Sequence, residues 1–285
     1  MLKSVLITGA SSGIGEAAAV HLAQAGFRVY AVARRMEKLR EIQGLGGGRV
    51  HIREMDVTDP DSVRTCIASI NAEAGPLFGL VNNAGASVMG PAESVSPEEW
   101  RRQFDVNLFG LMEVTRAVLP QMREAGAGRI VNIGSLAGRI ALPFQGVYAA
   151  SKHAVEGISD SMRREVKPFG VKVVVIRPGY IYTPFASESL SSLAQYNDDN
   201  PYTDQIRIFT AWRERQQPTA ASPLVVVDAI EKALTAARPH SRYTAPDQMQ
   251  GFLALRNILP AALIDRIFWR MTGLDAVSRK KGGPS

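Results

Sequence analysis

Along the first 245 residues, short apolar runs alternate with longer stretches whose apolar positions recur at helical spacing. Leu2 to Thr8, Arg28 to Ala33, Arg49 to Asp56, Phe78 to Val81, Arg129 to Ile133 and Val171 to Arg177 read as strands. Val171 to Arg177 is so densely β-branched that it belongs in the centre of a sheet. Helices are expected at Glu16 to Ala25, from near Pro60, over Pro97 to Ala125, and from the Tyr148 region to about Phe169. The third of these carries its own start signal: Ser96 as N-cap, Pro97 at the first position, Glu99 completing a capping box, and Gly126-Ala127-Gly128 as its stop. Ser222 to Ala237 adds a helix and Ser241 to Ala245 an edge strand. Strand and helix alternating six times argue an α/β fold, a doubly wound parallel sheet.

Between Pro184 and Ala221 the pattern fails. That stretch is polar and broken by prolines, and a long unpatterned segment between core elements reads as a lid or substrate loop. Its apolar members, Phe185, Tyr196, Tyr202, Phe209 and Trp212, either face a lipophilic substrate or pack the segment down, and a mixture is expected.

Two features carry chemistry. Gly9-Ala10-Ser11-Ser12-Gly13-Ile14-Gly15 joins the first strand to the first helix, the geometry in which backbone N–H groups and a helix N-terminus receive a pyrophosphate. Its glycines stand at i, i+4 and i+6, unlike the G-x-G-x-x-G spacing of the commoner dinucleotide loop. Farther on, Tyr148 and Lys152 share one helix face a turn apart. A phenol near its ordinary pKa of about 10 trades protons poorly near neutrality, and a neighbouring ammonium that favours the phenolate corrects this. Ser135 follows a strand, which places its hydroxyl at the sheet's carboxyl edge, where open α/β folds bind ligands. On its own, Tyr-x-x-x-Lys is also what a surface tyrosine beside a solvated lysine looks like.

Taken in order, Thr8-Gly9-x-x-x-Gly13-x-Gly15, Asn82-Asn83-Ala84-Gly85, Asn107, Ser135, Tyr148-x-x-x-Lys152 and Pro178-Gly179 with Thr183 resemble the short-chain dehydrogenase/reductase family over roughly Leu2 to Thr183. The resemblance implies a Rossmann-type domain over 1–245, with 184–221 as substrate loop and 246–285 as a helical extension of the same domain. It implies catalysis by Asn107, Ser135, Tyr148 and Lys152, with Asn107 holding a water that passes protons to the lysine. Cofactor contacts are implied for Gly9, Ser11, Ser12, Gly13, Ile14, Gly15, Asp56, Val57, Asn83, Ala84, Gly85, Tyr148, Lys152, Pro178, Gly179, Ile181 and Thr183. Asp56 would lie near the adenine; the bland alternative is that Asp56 or Asp59 caps the helix near Pro60, and both hold if Asp56 takes the base and Asp59 the cap. After the second strand stand Ala33, Arg34 and Arg35, with no carboxylate for a ribose 2′-hydroxyl and two guanidiniums for a 2′-phosphate, so NADP(H) is the expected cofactor. The bland alternative makes both arginines a solvated face. Gln145 and Tyr180, with Tyr182, are expected at the substrate pocket.

Composition narrows the partners. The net charge is +6, of which +4 falls in Gly251 to Ser285, where Arg256, Arg266, Arg270, Arg279, Lys280 and Lys281 face only Asp265 and Asp275. The body lacks the basic footprint of a nucleic-acid binder. One cysteine, Cys66, excludes an intramolecular disulfide and suits a reducing compartment such as the cytoplasm; it reads as a small core residue on a helix. The apolar start is too short for a signal peptide, and no window approaches about 18 uninterrupted apolar residues. The histidines, His21, His51, His153 and His240, form no ligand-like cluster, so no metal is expected.

In the tail, Leu263, Ile264, Ile267, Phe268 and Met271 line one helix face opposite Asp265, Arg266 and Arg270. Such a helix covers the substrate pocket, forms an oligomer contact, or rests on an anionic membrane. The resemblance extends to retinol and 17β-hydroxysteroid dehydrogenases, which implies a lipophilic alcohol or carbonyl substrate and a homo-dimer or homo-tetramer. Its interface would use the helices at 97–125 and 147–169. Two rivals stand beside an oxidoreductase: an NADP(H)-binding redox sensor without turnover, and a cofactor-recycling epimerase or dehydratase.

Overall fold

A computed structural model describes residues 2–196, 200–256 and 258–277. Arg279, Lys280 and Lys281 of the basic tail lie outside the described residues. Seven parallel strands form one sheet: β1 (Ser4–Thr8), β2 (Arg28–Ala33), β3 (Val50–Glu54), β4 (Gly79–Asn82), β5 (Gly128–Ile133), β6 (Val171–Pro178) and β7 (Arg242–Ala245). Their order is β3-β2-β1-β4-β5-β6-β7, a doubly wound sheet of Rossmann type whose direction of winding reverses between β1 and β4. Ligands of such folds bind beyond the carboxyl ends of the strands at that reversal.

The helices are α1 (Gly13–Gln24), α2 (Met36–Gln43), α3 (Pro60–Ala74), α4 (Pro97–Phe104), α5 (Leu111–Glu124), α6 (Gly146–Glu165), α7 (Pro184–Ala194), α8 (Thr203–Gln216), α9 (Leu224–Thr235), α10 (Met249–Arg256) and α11 (Ala261–Thr272). On one face of the sheet α1, α2 and α9 pack through Leu22, Leu39, Val227 and Ile230; on the other α3, α5 and α6 pack through Ile67, Val114, Val118 and Met162. Every residue of β1 is buried, as a strand covered on both faces requires. Cys66 sits in the second of these cores, where burial pushes its thiol up to about 11.

Between the central strands and the second helix layer lies a polar stitch. Asn82 Nδ2 donates to Thr115 Oγ1 at 3.0 Å and Asn132 Oδ1 at 2.9 Å, while Asn132 Nδ2 donates to Ser159 Oγ at 2.9 Å. A buried amide without a partner is costly, so these bonds fix how α5 and α6 sit on β4 and β5.

Two expectations change. The helix over Pro97 to Ala125 is continuous only in outline, because Asp105–Gly110 widens into a π-helical turn between α4 and α5. Residues 184–221 are not a loop: α7 and α8 fill most of the stretch. The serine hydroxyls of α7 hide the signal, since Ser187, Ser189, Ser191 and Ser192 each bond back to a carbonyl three or four residues earlier, a habit that lowers helix propensity. In α8 only Ile206 and Phe209 are buried, too few to mark a period. Elsewhere the structure decides what the residues left open: Asp59 caps α3, its carboxylate accepting from Asp61 N at 2.9 Å and Ser62 N at 3.3 Å.

Candidate active site

A cavity of about 1110 Å³ runs along the carboxyl edge of the sheet. Of the residues named from the sequence as site members, all but Gly15 and Asn107 line it, and Tyr182 lies outside it, exposed. Pockets for small ligands commonly span roughly 300 to 1,000 Å³, so this one has room for a dinucleotide and a substrate together.

At one end is the glycine loop. Thr8 Oγ1 accepts from the backbone N–H groups of Asn83 and Ala84, both at 3.0 Å, and the Asn83 amide donates back to the carbonyls of Thr8 and Gly9. The loop is thereby clamped onto the end of β4. A Cβ at Gly15 would stand 2.4 Å from Asn83 Nδ2 and 2.5 Å from the Gly9 carbonyl oxygen, so the clamp itself requires glycine there. Gly13 differs: its φ is +60°, and a Cβ there would approach Thr183 to 3.2 Å across the cavity mouth. Ser12 stands at the N-cap of α1 without its side chain capping the helix, which leaves the first-turn N–H groups free of a side-chain cap.

The arginines after β2 close this end. Arg35 donates to Ser11 Oγ at 3.1 Å and to Ser12 Oγ at 3.2 Å, and Arg34 Nη1 stands 3.7 Å from Asp56 Oδ2. Burial pushes the Asp56 carboxyl up, but the Thr58 N–H and hydroxyl and the Arg34 charge outweigh it and hold its pKa below the ordinary value.

Midway along the cavity, Ser135 and Tyr148 meet. Ser135 stands two residues past the end of β5 and caps a short 3-10 turn, its Oγ accepting from Ala137 N at 3.0 Å. Tyr148, on the first turns of α6, is hydrogen-bonded to the Ser135 side chain, and the Phe185 ring lies 5.9 Å away. Burial raises the phenol's pKa, and the Ser135 bond and the charge of Arg213 pull it down. Lys152, buried one turn along α6, donates from Nζ to the Ile133 carbonyl at 2.8 Å and lies 5.8 Å from the Tyr148 ring centroid. Burial lowers its pKa to about 8.

Asn107 stands behind the cavity wall. Its Oδ1 accepts from Ala86 N at 2.8 Å, and its Nδ2 donates to the Ala86 carbonyl and to Ser151 Oγ, each at 3.0 Å. The π turn thus ties the Asn83-Ala84-Gly85 segment to the helix that carries Tyr148 and Lys152. At Gly85 an added Cβ would lie 3.5 Å from Asn107 Oδ1 and 3.9 Å from Lys152 Nζ.

The rest of the lining forms a chamber of Leu136, Leu142, Gln145, Tyr180, Phe185 and Trp212, with Phe268 and the part-exposed Met271 of α11. The aromatics of 184–221 divide as expected. Phe185 and Trp212 face the chamber, while Tyr196, Tyr202 and Phe209 pack beneath it around Met89 and Leu193. Arg213, Phe268 and Met271 are site members not singled out from the sequence; only the apolar face of the tail pointed toward the last two.

Comparison with known proteins gives a consistent result. Residues 3–193 match the model of a family described as short chain dehydrogenase. The chain is 36% identical over 239 residues to 3-ketodihydrosphingosine reductase of Bacteroides thetaiotaomicron, covering 84% of this chain and 86% of that protein. It is 35% identical over 278 residues to retinol dehydrogenase 5 of Homo sapiens, covering 92% and 86%. Among solved structures, the closed form of serine dehydrogenase complexed with NADP+ superposes with a TM-score of 0.73 at 32% identity, covering 85% of this chain and 93% of that one. A short-chain dehydrogenase from Burkholderia phymatum in complex with NAD reaches 0.78 at 25% identity, covering 90% and 93%.

Proposed function

Since the chain belongs to the short-chain dehydrogenase/reductase family, we propose that it is an NADP(H)-dependent oxidoreductase interconverting an alcohol and a ketone or aldehyde on a lipophilic substrate. The observation that carries this is the continuity of one cavity from the glycine loop and Arg34/Arg35, past Ser135 and Tyr148, into an apolar chamber. A nicotinamide dinucleotide fits the residues present: the space that a Gly13 Cβ would fill, the uncapped start of α1, and the two guanidiniums that follow β2, with the Asp56 carboxylate beside Arg34. NADP(H) supplies hydride when bound.

In the reductive direction the Ser135 hydroxyl and the Tyr148 phenol both donate to the substrate carbonyl oxygen, and Tyr148 releases its proton to that oxygen as the alcohol forms. Ser135 holds the phenol on the side from which it reaches the carbonyl. Lys152 would hold the ribose of a bound cofactor, and its ammonium, close to the Tyr148 ring, supplies the charge that the phenol's departing proton leaves uncompensated. Asn107 is a positioning residue: its carboxamide locks Ala86 and Ser151 together, and through them the cofactor loop and α6. The residues' part in the rate is to hold the substrate carbon within reach of the hydride that a bound nicotinamide would supply. A lipophilic substrate is supported by the chamber walls and by the printed names of two relatives, a ketodihydrosphingosine reductase and a retinol dehydrogenase.

Self-association is proposed through the α4–α5 and α6 layer, where Phe109 and Phe169 stand exposed at 61% and 44%. Peripheral membrane contact through α11 is proposed from its outward apolar and basic residues.

The test is NADPH oxidation against ketones and aldehydes graded from small to retinoid-sized, with Tyr148→Phe beside the wild type. Activity that rises with substrate bulk and falls at least about a hundredfold in Tyr148→Phe is expected, the range that a positioned acid contributes. Full activity in the variant removes Tyr148 from the mechanism.

A further inference from the structure

The chamber wall carries a cation that the reaction above does not use. Arg213, near the end of α8, lines the chamber, and its guanidinium carbon lies 4.4 Å over the Tyr180 ring centroid. It has no acidic partner among the described residues, whereas Arg207 on the same helix stands 3.8 Å from Asp204, and Arg177 is held by both oxygens of Glu156. Glu188, an acid that also lines the cavity, is exposed and forms no ion pair with Arg213. The side chain is half-buried, and the cost of taking a guanidinium partly out of water with no anion beside it lowers the Arg213 pKa. Tyr180 stacking compensates only in part, since a cation over a ring is worth less than a paired carboxylate. The five-donor fork of arginine suits a planar or tetrahedral oxyanion.

We propose that Arg213 seats an oxyanion of the substrate, so that the preferred substrate is an apolar alcohol or carbonyl compound bearing a carboxylate or a phosphate ester. This rests on the oxidoreductase reading and narrows its substrate class. Arg213 and Tyr148 both line the chamber, so the oxyanion and the reacting carbonyl belong to one ligand that spans it. The apolar remainder then extends toward Leu142, Phe268 and Met271. An anion on Arg213 also cancels the charge that favours phenolate at Tyr148, and so keeps the proton on the group that must donate it during reduction.

Binding tests this without turnover. The NADPH-loaded protein is titrated calorimetrically with decanoate, decyl phosphate and methyl decanoate, as wild type, Arg213→Met and Arg213→Lys. The expected result is that one anion binds wild type about tenfold or more tightly than the ester, the size of a charge-assisted hydrogen bond. That gap closes in Arg213→Met and survives in part in Arg213→Lys; whichever anion binds tighter identifies the headgroup. Equal binding of anions and ester by wild type overturns the proposal, and so does a gap that persists in Arg213→Met. Weaker NADPH binding by Arg213→Met with an unchanged gap also overturns it, since it assigns the guanidinium to the cofactor. A preserved gap in a protein that reduces no carbonyl counts against the oxidoreductase reading and leaves the anion seat standing.

Discussion

At the scale of single side chains, the NADP(H) preference proposed above rests on two arginines and the expected pH dependence on one lysine. Arg35 is held over the glycine loop by Ser11 and Ser12, and Arg34 leans toward Asp56, so two guanidiniums converge where a ribose phosphate would end. Arg34→Ala and Arg35→Ala are each expected to raise KM for NADPH about tenfold while leaving that for NADH nearly unchanged, because each removes a charge-assisted bond available only to the 2′-phosphate. Steady-state kinetics with both cofactors check this; equal losses for both return the arginines to a solvated face. Lys152 sets the second expectation. Its amine is charged below a pKa of about 8 and neutral above, whereas burial keeps the Tyr148 phenol protonated past its ordinary value. Log kcat/KM for NADPH, which reports the free enzyme, is therefore flat at lower pH and falls as pH rises through about 8. In Lys152→Arg the guanidinium stays charged, so the descending limb disappears at whatever activity remains; a limb that survives assigns the titration to another group.

At the scale of elements, legibility followed burial. Strands covered on both faces announced themselves as dense apolar runs: Arg28–Ala33 was bounded to the residue, and β1, β4, β5 and β6 to within two residues at either end, while the half-buried edge strand β3 was bounded as closely. The Ser96-Glu99 capping box was likewise readable, since a cap is written in adjacent residues. Asn107, an asparagine inside a helical stretch, signalled that something there was unusual. What it signalled was a π turn whose extra residue aims a carboxamide at Ala86 and Ser151. That turn depends on partners 21 and 44 residues away, which no local pattern encodes. The same limit hid α7 and α8. Their helical state is maintained by packing Leu193, Ile206 and Phe209 around Met89, and their serines and charges speak locally for a loop. Arg213 was lost with them, because a charged residue in a polar stretch gives no sign that its helix turns it inward.

Across the whole molecule, α11 links the pocket to whatever surrounds the protein. Inward, Phe268 and Ile264 pack with Ile140 and Leu253, and Phe268 and Met271 line the chamber. Outward, Leu263, Ile267 and Trp269 remain 41%, 38% and 50% exposed beside Arg266 and Arg270. No helix among the described residues is long and apolar enough to cross a membrane. A helix that buries one side in the pocket wall and leaves aromatic, aliphatic and basic groups on the other suits the interface of an anionic bilayer, where a lipophilic substrate is dissolved. The full chain is therefore expected to float with phosphatidylserine-containing vesicles and to release as salt rises, because the basic contribution is screened. Truncation before Gly251 removes the flotation. It also lowers kcat/KM for bulky substrates more than for small ones, since it takes Phe268 and Met271 out of the chamber wall. Trp269→Glu separates these effects: placed on the outward side, it loses the vesicles and keeps the preference for bulk. Equal flotation of full and truncated chains rejects the membrane contact, and a loss of bulk preference in Trp269→Glu shows that the outer face of α11 also shapes the chamber.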